Sequence, residues 1–253
     1  MGDSELDGER AGRAKEAGLP GERGRQEETG YTAGAGGVEE DGRLTLRERK
    51  KLRTRQRISG EATLLFIRRG FDNVTVAEVA RAAEVSTMTV FNYFPRKEDL
   101  FLDRIPEGRE LLTRAVRERA ADETPLVALR RLALGLLAQR HPLGGVGEGF
   151  EHFWQTVLDS PALRARGREA VEEMEDTLAG LLDEAAGGAA GAVDGPSADS
   201  RLAAALIIAA WRVAYAGAAA RQLKGDPADE VAVDHEAVLR RTFDALERAL
   251  PGG

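Results

Sequence analysis

Cysteine is absent from the 253-residue chain. That excludes disulfides and thiolate metal sites. Aromatic residues make up only 5% of the sequence, and histidines number three. His141, His152 and His235 stand far apart, with no metal-ligand spacing. Neither G-x-S-x-G nor H-E-x-x-H occurs. Gly145-Val146-Gly147-Glu148-Gly149 has the glycines of a phosphate-binding loop but no strand before it, so it reads as an ordinary loop. The expectation is therefore a protein with no catalytic residues, no metal and no cofactor. No apolar run is read as reaching the roughly 18 residues of a membrane span. The N-terminus is charged and glycine-rich, without a signal-like apolar stretch. With no cysteine to oxidise, a cytoplasmic location and no membrane partner are expected.

What is present is an uneven charge distribution. The formal net charge is −7, which taken alone argues against nucleic acid. Residues 1–43 carry −5, residues 44–105 carry +5, and residues 106–253 carry −7. A basic segment thus lies between two acidic ones. Residues 1–43 also hold 11 of the 29 glycines and few large apolar side chains. They bury too little to offset the entropy of ordering and are expected to form a disordered acidic tail.

From Leu46 the pattern becomes helical. Ile58, Ala62, Leu65 and Phe66 recur at spacings of three and four and give one apolar face. Thr75-Val76-Ala77-Glu78 is a capping box, and the helix it opens turns Val76, Val79 and Ala80 inward. A turn follows at Ala83-Glu84-Val85. Ser86 then caps a second short helix, from Thr87 to about Tyr93, which Phe94-Pro95 breaks. Another helix is expected to begin at Arg96–Leu100. Thr124-Pro125 and Ser160-Pro161 are cap-plus-proline starts of further helices. Residues 185–199 read as a loop, followed by helices over Ser200–Leu223 and Asp234–Leu250. No alternating strand pattern and no internal repeat is present, so the class is all-α.

Two short helices joined by a tight turn are the geometry of a helix-turn-helix, whose second helix enters the major groove of DNA. At the start of that helix, Thr87 and Thr89 offer hydroxyls to a base edge or a phosphate. Met88 suits a thymine methyl, and Asn92 suits adenine or a phosphate. Ser86 and Thr75, as caps, sit at the two helix starts that would approach the backbone. Residues 47–57 hold seven basic side chains and one acidic. Within them Arg47, Arg49, Lys50, Lys51 and Arg53 form an arm suited to crossing phosphates. Val79, Val85, Val90, Phe91 and Phe94 are expected to pack the core of this head.

The stretch Thr54, Ile58, Ala62, Phe66, Gly70-Phe71, Thr75-Val76, Val79-Ala80 resembles the N-terminal domain of the TetR family of bacterial regulators. So does its continuation, Val85-Ser86-Thr87-Met88-Thr89-Val90-Phe91-Asn92-Tyr93-Phe94-Pro95-Arg96-Lys97-Glu98-Asp99-Leu100. The likeness covers about residues 45–102. It implies a three-helix DNA-binding head, a helical ligand-binding body, a homodimer and a palindromic operator. It also implies phosphate contacts from Tyr93 and Lys97. Two positions depart from the family pattern. Glu84 stands where glycine is usual, at a turn that wants left-handed backbone, and Phe91 stands where tyrosine is frequent. The stretch Ser160–Arg166 is similar to a subset of actinobacterial members, for which an acyl-CoA-like effector is implied.

These readings divide the chain into a tail (1–43), a helix-turn-helix domain (44–94) and a ligand-binding and dimerisation domain (95–253). Phe150, Phe153, Trp154, Met174, Trp211 and Tyr215 are the candidate pocket residues, with His152, Gln155 and Arg212 beside them. Leu206, Ile207, Val213, Leu239, Phe243 and Leu246 are the candidate dimer interface, where small neighbours such as Ala209, Ala210 and Gly217 allow close approach. The expected function is a repressor released from its operator by an unidentified small amphipathic or hydrophobic effector. A transcription activator and a ligand-independent architectural DNA-binding protein are the alternatives.

Overall fold

A computed structural model describes residues 45–188 and 195–250. The expected tail over 1–43 lies outside the described residues, as does part of the 185–199 loop. The described residues form nine α-helices and no strand. They are α1 (Leu46–Arg69), α2 (Val76–Ala82), α3 (Thr87–Tyr93), α4 (Ile105–Arg117), α5 (Pro125–Ala138), α6 (Phe150–Asp159), α7 (Pro161–Ala185), α8 (Ala198–Gln222) and α9 (Ala228–Ala249).

The helices start where short oxygen-bearing side chains can take up orphan backbone N–H groups. Thr45 with Glu48, and Thr75 with Glu78, make reciprocal capping boxes. Ser86, Thr124, Ser160 and Ser197 cap α3, α5, α7 and α8. Pro125 and Pro161 occupy first-turn positions whose N–H groups would have no partner anyway.

Three boundaries differ from the sequence expectation. Arg96–Leu100 does not start a helix; Glu98–Leu100 makes a single 3-10 turn, and α4 begins at Ile105. α8 is capped by Ser197 rather than opening at Ser200, whose side chain is buried. α9 starts at Ala228, since Asp229 and Glu230 suit a helix start and Val231 already joins the core.

Two apolar clusters organise the chain. The first joins Ile58, Ala62 and Phe66 of α1 to Val79 and Ala80 of α2 and Val90 of α3. It continues past residue 94 through Leu100 and Phe101. Leu163 of α7 closes it, with Phe153 and Val157 of α6 packed alongside. Phe153 stacks on Phe101 with ring centroids 5.0 Å apart. The head's core is therefore completed by side chains from the body. The second cluster is the body's own and draws on α4, α5, α7, α8 and α9.

This body core corrects the interface reading. Ile207, Leu239, Phe243 and Leu246 are almost fully buried within one protomer, so they belong to its core. Only Leu206 (40% exposed) and Val213 (68% exposed) of the six face outward. Periodicity selected α9's inner face because that face is the more apolar one.

α8 also corrects the reading of apolar runs. By length and composition it is apolar enough to cross a membrane. Its inner face, including Ala204, Ile207, Ile208 and Ala214, is instead committed to the body core. Its outer face leaves Leu202, Leu206 and Val213 exposed. Ala209, Ala216, Gly217 and Ala220 share that exposed face at helical spacing.

Candidate nucleic-acid interface

The first half of α1 cannot bury itself. Seven cationic side chains over 47–57 would repel one another and carry their charge out of water, so the first buried residue is Ile58. Arg47, Lys50, Lys51 and Arg53 are exposed, and Arg49 is half-buried. Arg55 is the exception. Its guanidinium lies 4.6 Å over the Phe94 ring and donates to the Asp103 carbonyl at 2.7 Å. Burial pushes the Asp103 carboxyl upward, while Ser59 and Arg55 pull it back down. The basic arm is thereby anchored to the segment that follows α3.

At the start of α2 the Thr75 backbone N–H donates to the Glu78 carboxylate at 2.8 Å, as does the Thr75 hydroxyl. Arg69 adds an ion pair to Glu78 at 2.8 Å. The Thr75 backbone bond, then its hydroxyl and Arg69, pull the Glu78 pKa down to about 2. Glu78 is therefore ionised across the physiological range and the Thr75 hydroxyl is held in the cap.

The turn between α2 and α3 has the hydrogen bonds of a Schellman motif: Val85 N–H to Ala80 carbonyl at 2.9 Å, and Glu84 N–H to Arg81 carbonyl at 3.2 Å. The motif needs a left-handed residue, and Glu84 supplies it with φ of 50°. The tight turn survives without the glycine that the resemblance leads one to expect.

On α3, the Ser86 hydroxyl accepts from the Thr89 N–H at 3.0 Å and pairs with the Thr89 hydroxyl at 2.8 Å. Both hydroxyls fix the helix start. Val90 and Phe94 turn inward. The opposite face presents Thr87, Met88, Phe91 and Asn92, all exposed. Phe91 is a correction, because it was expected in the core and is 45% exposed. With residues 90 and 94 filling the inward side, residue 91 is carried roughly 100° away around the helix. The 87–88–91–92 spacing was the signal that could have found it.

Tyr93 is half-buried at the edge of the head cluster. Lys97 is turned inward: its ammonium donates to the Phe71 carbonyl at 2.7 Å and sits 4.2 Å over the Phe71 ring. Burial pushes its pKa down, against the pull of Asp72, Glu98 and Glu78. In this structure Lys97 ties α3's exit to the segment after α1.

The six candidate pocket residues fall into separate groups. Phe150, Phe153 and Trp154 cluster on α6, with Phe153 stacked on Phe101 of the head junction. Trp211 and Tyr215 on α8 pack with Phe243 and His235 of α9. Met174 lies half-buried on α7 against the body core. The Tyr215 hydroxyl donates to the Leu143 carbonyl. A Cβ at Gly145, which has φ of 76°, would lie 2.7 Å from the Tyr215 ring. That close approach and backbone angle account for glycine in the Gly145–Gly149 loop. A cavity of about 390 Å³ lies elsewhere, at the head–body junction between Phe66–Asn73 and the end of α6. None of the six lines it, although His152 and Gln155 do.

Residues 60–103 match the model of the family described as bacterial regulatory proteins, tetR family. The chain is 34% identical over 140 residues to the HTH-type transcriptional regulator TcmR of Streptomyces glaucescens, over 54% of this chain and 62% of that protein. It is 32% identical over 98 residues to the HTH-type transcriptional regulator BetI of Pseudomonas aeruginosa, over 38% of this chain and 50% of that protein. The chain thus spans less than two thirds of the length of these relatives. Among solved structures it is similar to NalD, the secondary repressor of the MexAB-OprM multidrug efflux pump in Pseudomonas aeruginosa. That likeness has 21% identity and a TM-score of 0.49, over 76% of this chain and 96% of NalD. It is also similar to Thermus thermophilus FadR in complex with lauroyl-CoA. There the identity is 25% and the TM-score 0.46, over 79% of this chain and all of that one.

Proposed function

We propose that the chain is a member of the tetR family of bacterial regulatory proteins, whose model matches residues 60–103, and that it is a sequence-specific DNA-binding transcription regulator that represses by occupying a palindromic operator. The observation that carries this reading is the exposed face of α3. Thr87, Met88, Phe91 and Asn92 project together from a helix whose start is locked by Ser86 and Thr89. Exposed Arg47, Lys50, Lys51 and Arg53 on α1 supply the positive charge for phosphates. Arg49 joins them, Tyr93 lies at the rim, and the Thr75 cap steadies the bracing helix. Lys97 acts mainly from within, holding the head in shape.

A palindrome requires two heads. The outer face of α8 supports pairing with a second copy, since Leu202, Leu206 and Val213 are exposed there among alanines and Gly217. The body is the place for a small amphipathic or hydrophobic effector. The aromatic groups around Trp154 and around Trp211 and Tyr215 support this, as does the Trp154 indole N–H, which is buried with no hydrogen-bond partner. On this reading the protein works in the cytoplasm, where its operator is, and it performs no catalysis.

Selection of bound duplexes from random DNA tests the proposal. It should enrich an inverted repeat whose half-sites are spaced by about one helical turn or a multiple of it. Long-chain acyl-CoA esters added to the same complex should release it. Recovery of unenriched sequences would overturn the regulator reading.

A further inference from the structure

We infer that Phe91 and Met88 together read thymine methyl groups, so that the operator half-site carries thymines under the middle of α3. The inference rests on the regulator reading above and adds to it a residue and a base identity.

Met88 is 70% exposed and Phe91 45% exposed, one helical turn apart on the same side of α3. They are large apolar side chains left in water on an otherwise polar face. The head core has no place for them, because Val90 and Phe94 already fill its inward side. Water contact at both positions is unfavourable, and burial of either against a partner would be favourable. The partner must be compatible with the surroundings. Thr87 and Asn92 flank the pair, and the segment from 44 to 105 carries a net +5. A polyanion with an apolar feature fits: it meets the positive charge, the Asn92 amide and the two apolar side chains together.

Phe91 has no hydroxyl, so it can neither donate to a phosphate nor hydrogen-bond a base edge. Met88 offers only a weakly accepting thioether. Apolar contact is the chemistry left to both. In the major groove the apolar protrusion is the C5-methyl of thymine. Asn92, next to Phe91, has an amide that can pair with both the acceptor and the donor of adenine. Since adenine and thymine pair, the three side chains together ask for adjacent A·T pairs.

The test uses the full chain and its selected operator. Each thymine of the half-site is replaced in turn by deoxyuridine, which differs only in lacking the methyl. At one or two central positions affinity should fall about fourfold, the change that burial of one methyl corresponds to. In the F91A/M88A double variant, whose substitutions are on the surface and whose helicity is checked first, the same replacements should have no effect. Deoxyuridine tolerated at every position, with specific binding otherwise intact, would overturn this inference and leave the regulator reading standing. A methyl effect that persists in the double variant would overturn the assignment to these residues. Failure to enrich any site would overturn both readings.

Discussion

Asp99 and Arg166 meet across the junction of head and body. The Arg166 Nε donates to Asp99 Oδ1 at 2.8 Å, while its Nη1 donates to Glu173 Oε1 at 2.9 Å. One guanidinium thus ties the segment after α3 to two turns of α7. Nearby, the Ser160 hydroxyl donates to Asp72 at 3.1 Å, and Arg96 pairs with Glu169. Leu163 is wholly buried in the head cluster. The first turns of α7 therefore attach the body to the head.

Arg166 is nearly buried, so its removal leaves two carboxylates without their shared partner. Arg166→Ala should destabilise the protein by about 1–3 kcal/mol. Arg166→Lys should recover only part of that, because a single ammonium does not reproduce the fork geometry. Urea unfolding of the three proteins checks the order.

Glu84 holds a left-handed backbone angle that favours glycine. Glu84→Gly should raise stability by about 1 kcal/mol, with the Schellman hydrogen bonds and DNA binding retained. A higher urea midpoint at unchanged slope is the expected result.

His235 lies in the core, edge-on to Tyr215 at 5.3 Å between ring centroids, and neither ring nitrogen has a hydrogen-bond partner. Burial pushes its pKa below the ordinary 6.5. Above about 6.5 both folded and unfolded chains carry it neutral, and its contribution to stability is full. As the pH falls below that value, the unfolded chain takes up a proton that the folded core disfavours, and stability declines. Urea midpoints measured between about pH 5 and 8 should show the decline, and His235→Leu should flatten it.

Leu206 and Val213 lie on the outer face of α8, so substitution there spares the protomer core. Val213→Glu with Leu206→Glu should convert the proposed dimer into a folded monomer, because it places two charges on each side of the proposed pairing face. Phe243→Ala should instead cost about 3–5 kcal/mol of stability, since it hollows the core of each protomer. Light scattering and urea unfolding together separate the two effects.

The sequence was most legible where local chemistry decides the structure. Thr75 with Glu78, Ser86, Thr124 and Ser160 mark helix starts that the structure reproduces, because capping involves only neighbouring residues. The left-handed turn at Glu84 was legible only through the resemblance, because a glutamate there does not itself mark left-handed backbone. What periodicity could not rank was which of two apolar faces a helix buries. Phe91 looked like core and is outside, whereas Phe243 and Leu239 looked like interface and are inside. Those outcomes depend on which neighbours fill the inward side: Val90 and Phe94 in the head, and α5 and α8 around α9 in the body. The inward turn of Lys97 was equally hidden, since its acceptor is a backbone carbonyl 26 residues away.

The central claim is that α3 reads base sequence while the α1 arm supplies sequence-independent attraction. The most direct measurement is the affinity ratio between the selected duplex and a scrambled one of equal length, at fixed salt, for the wild-type chain and for Thr87→Ala with Asn92→Ala. The wild-type ratio should be about 10³ or more. In the variant that ratio should collapse, with binding to the scrambled duplex unchanged. Equal affinity of the wild-type chain for both duplexes would contradict it.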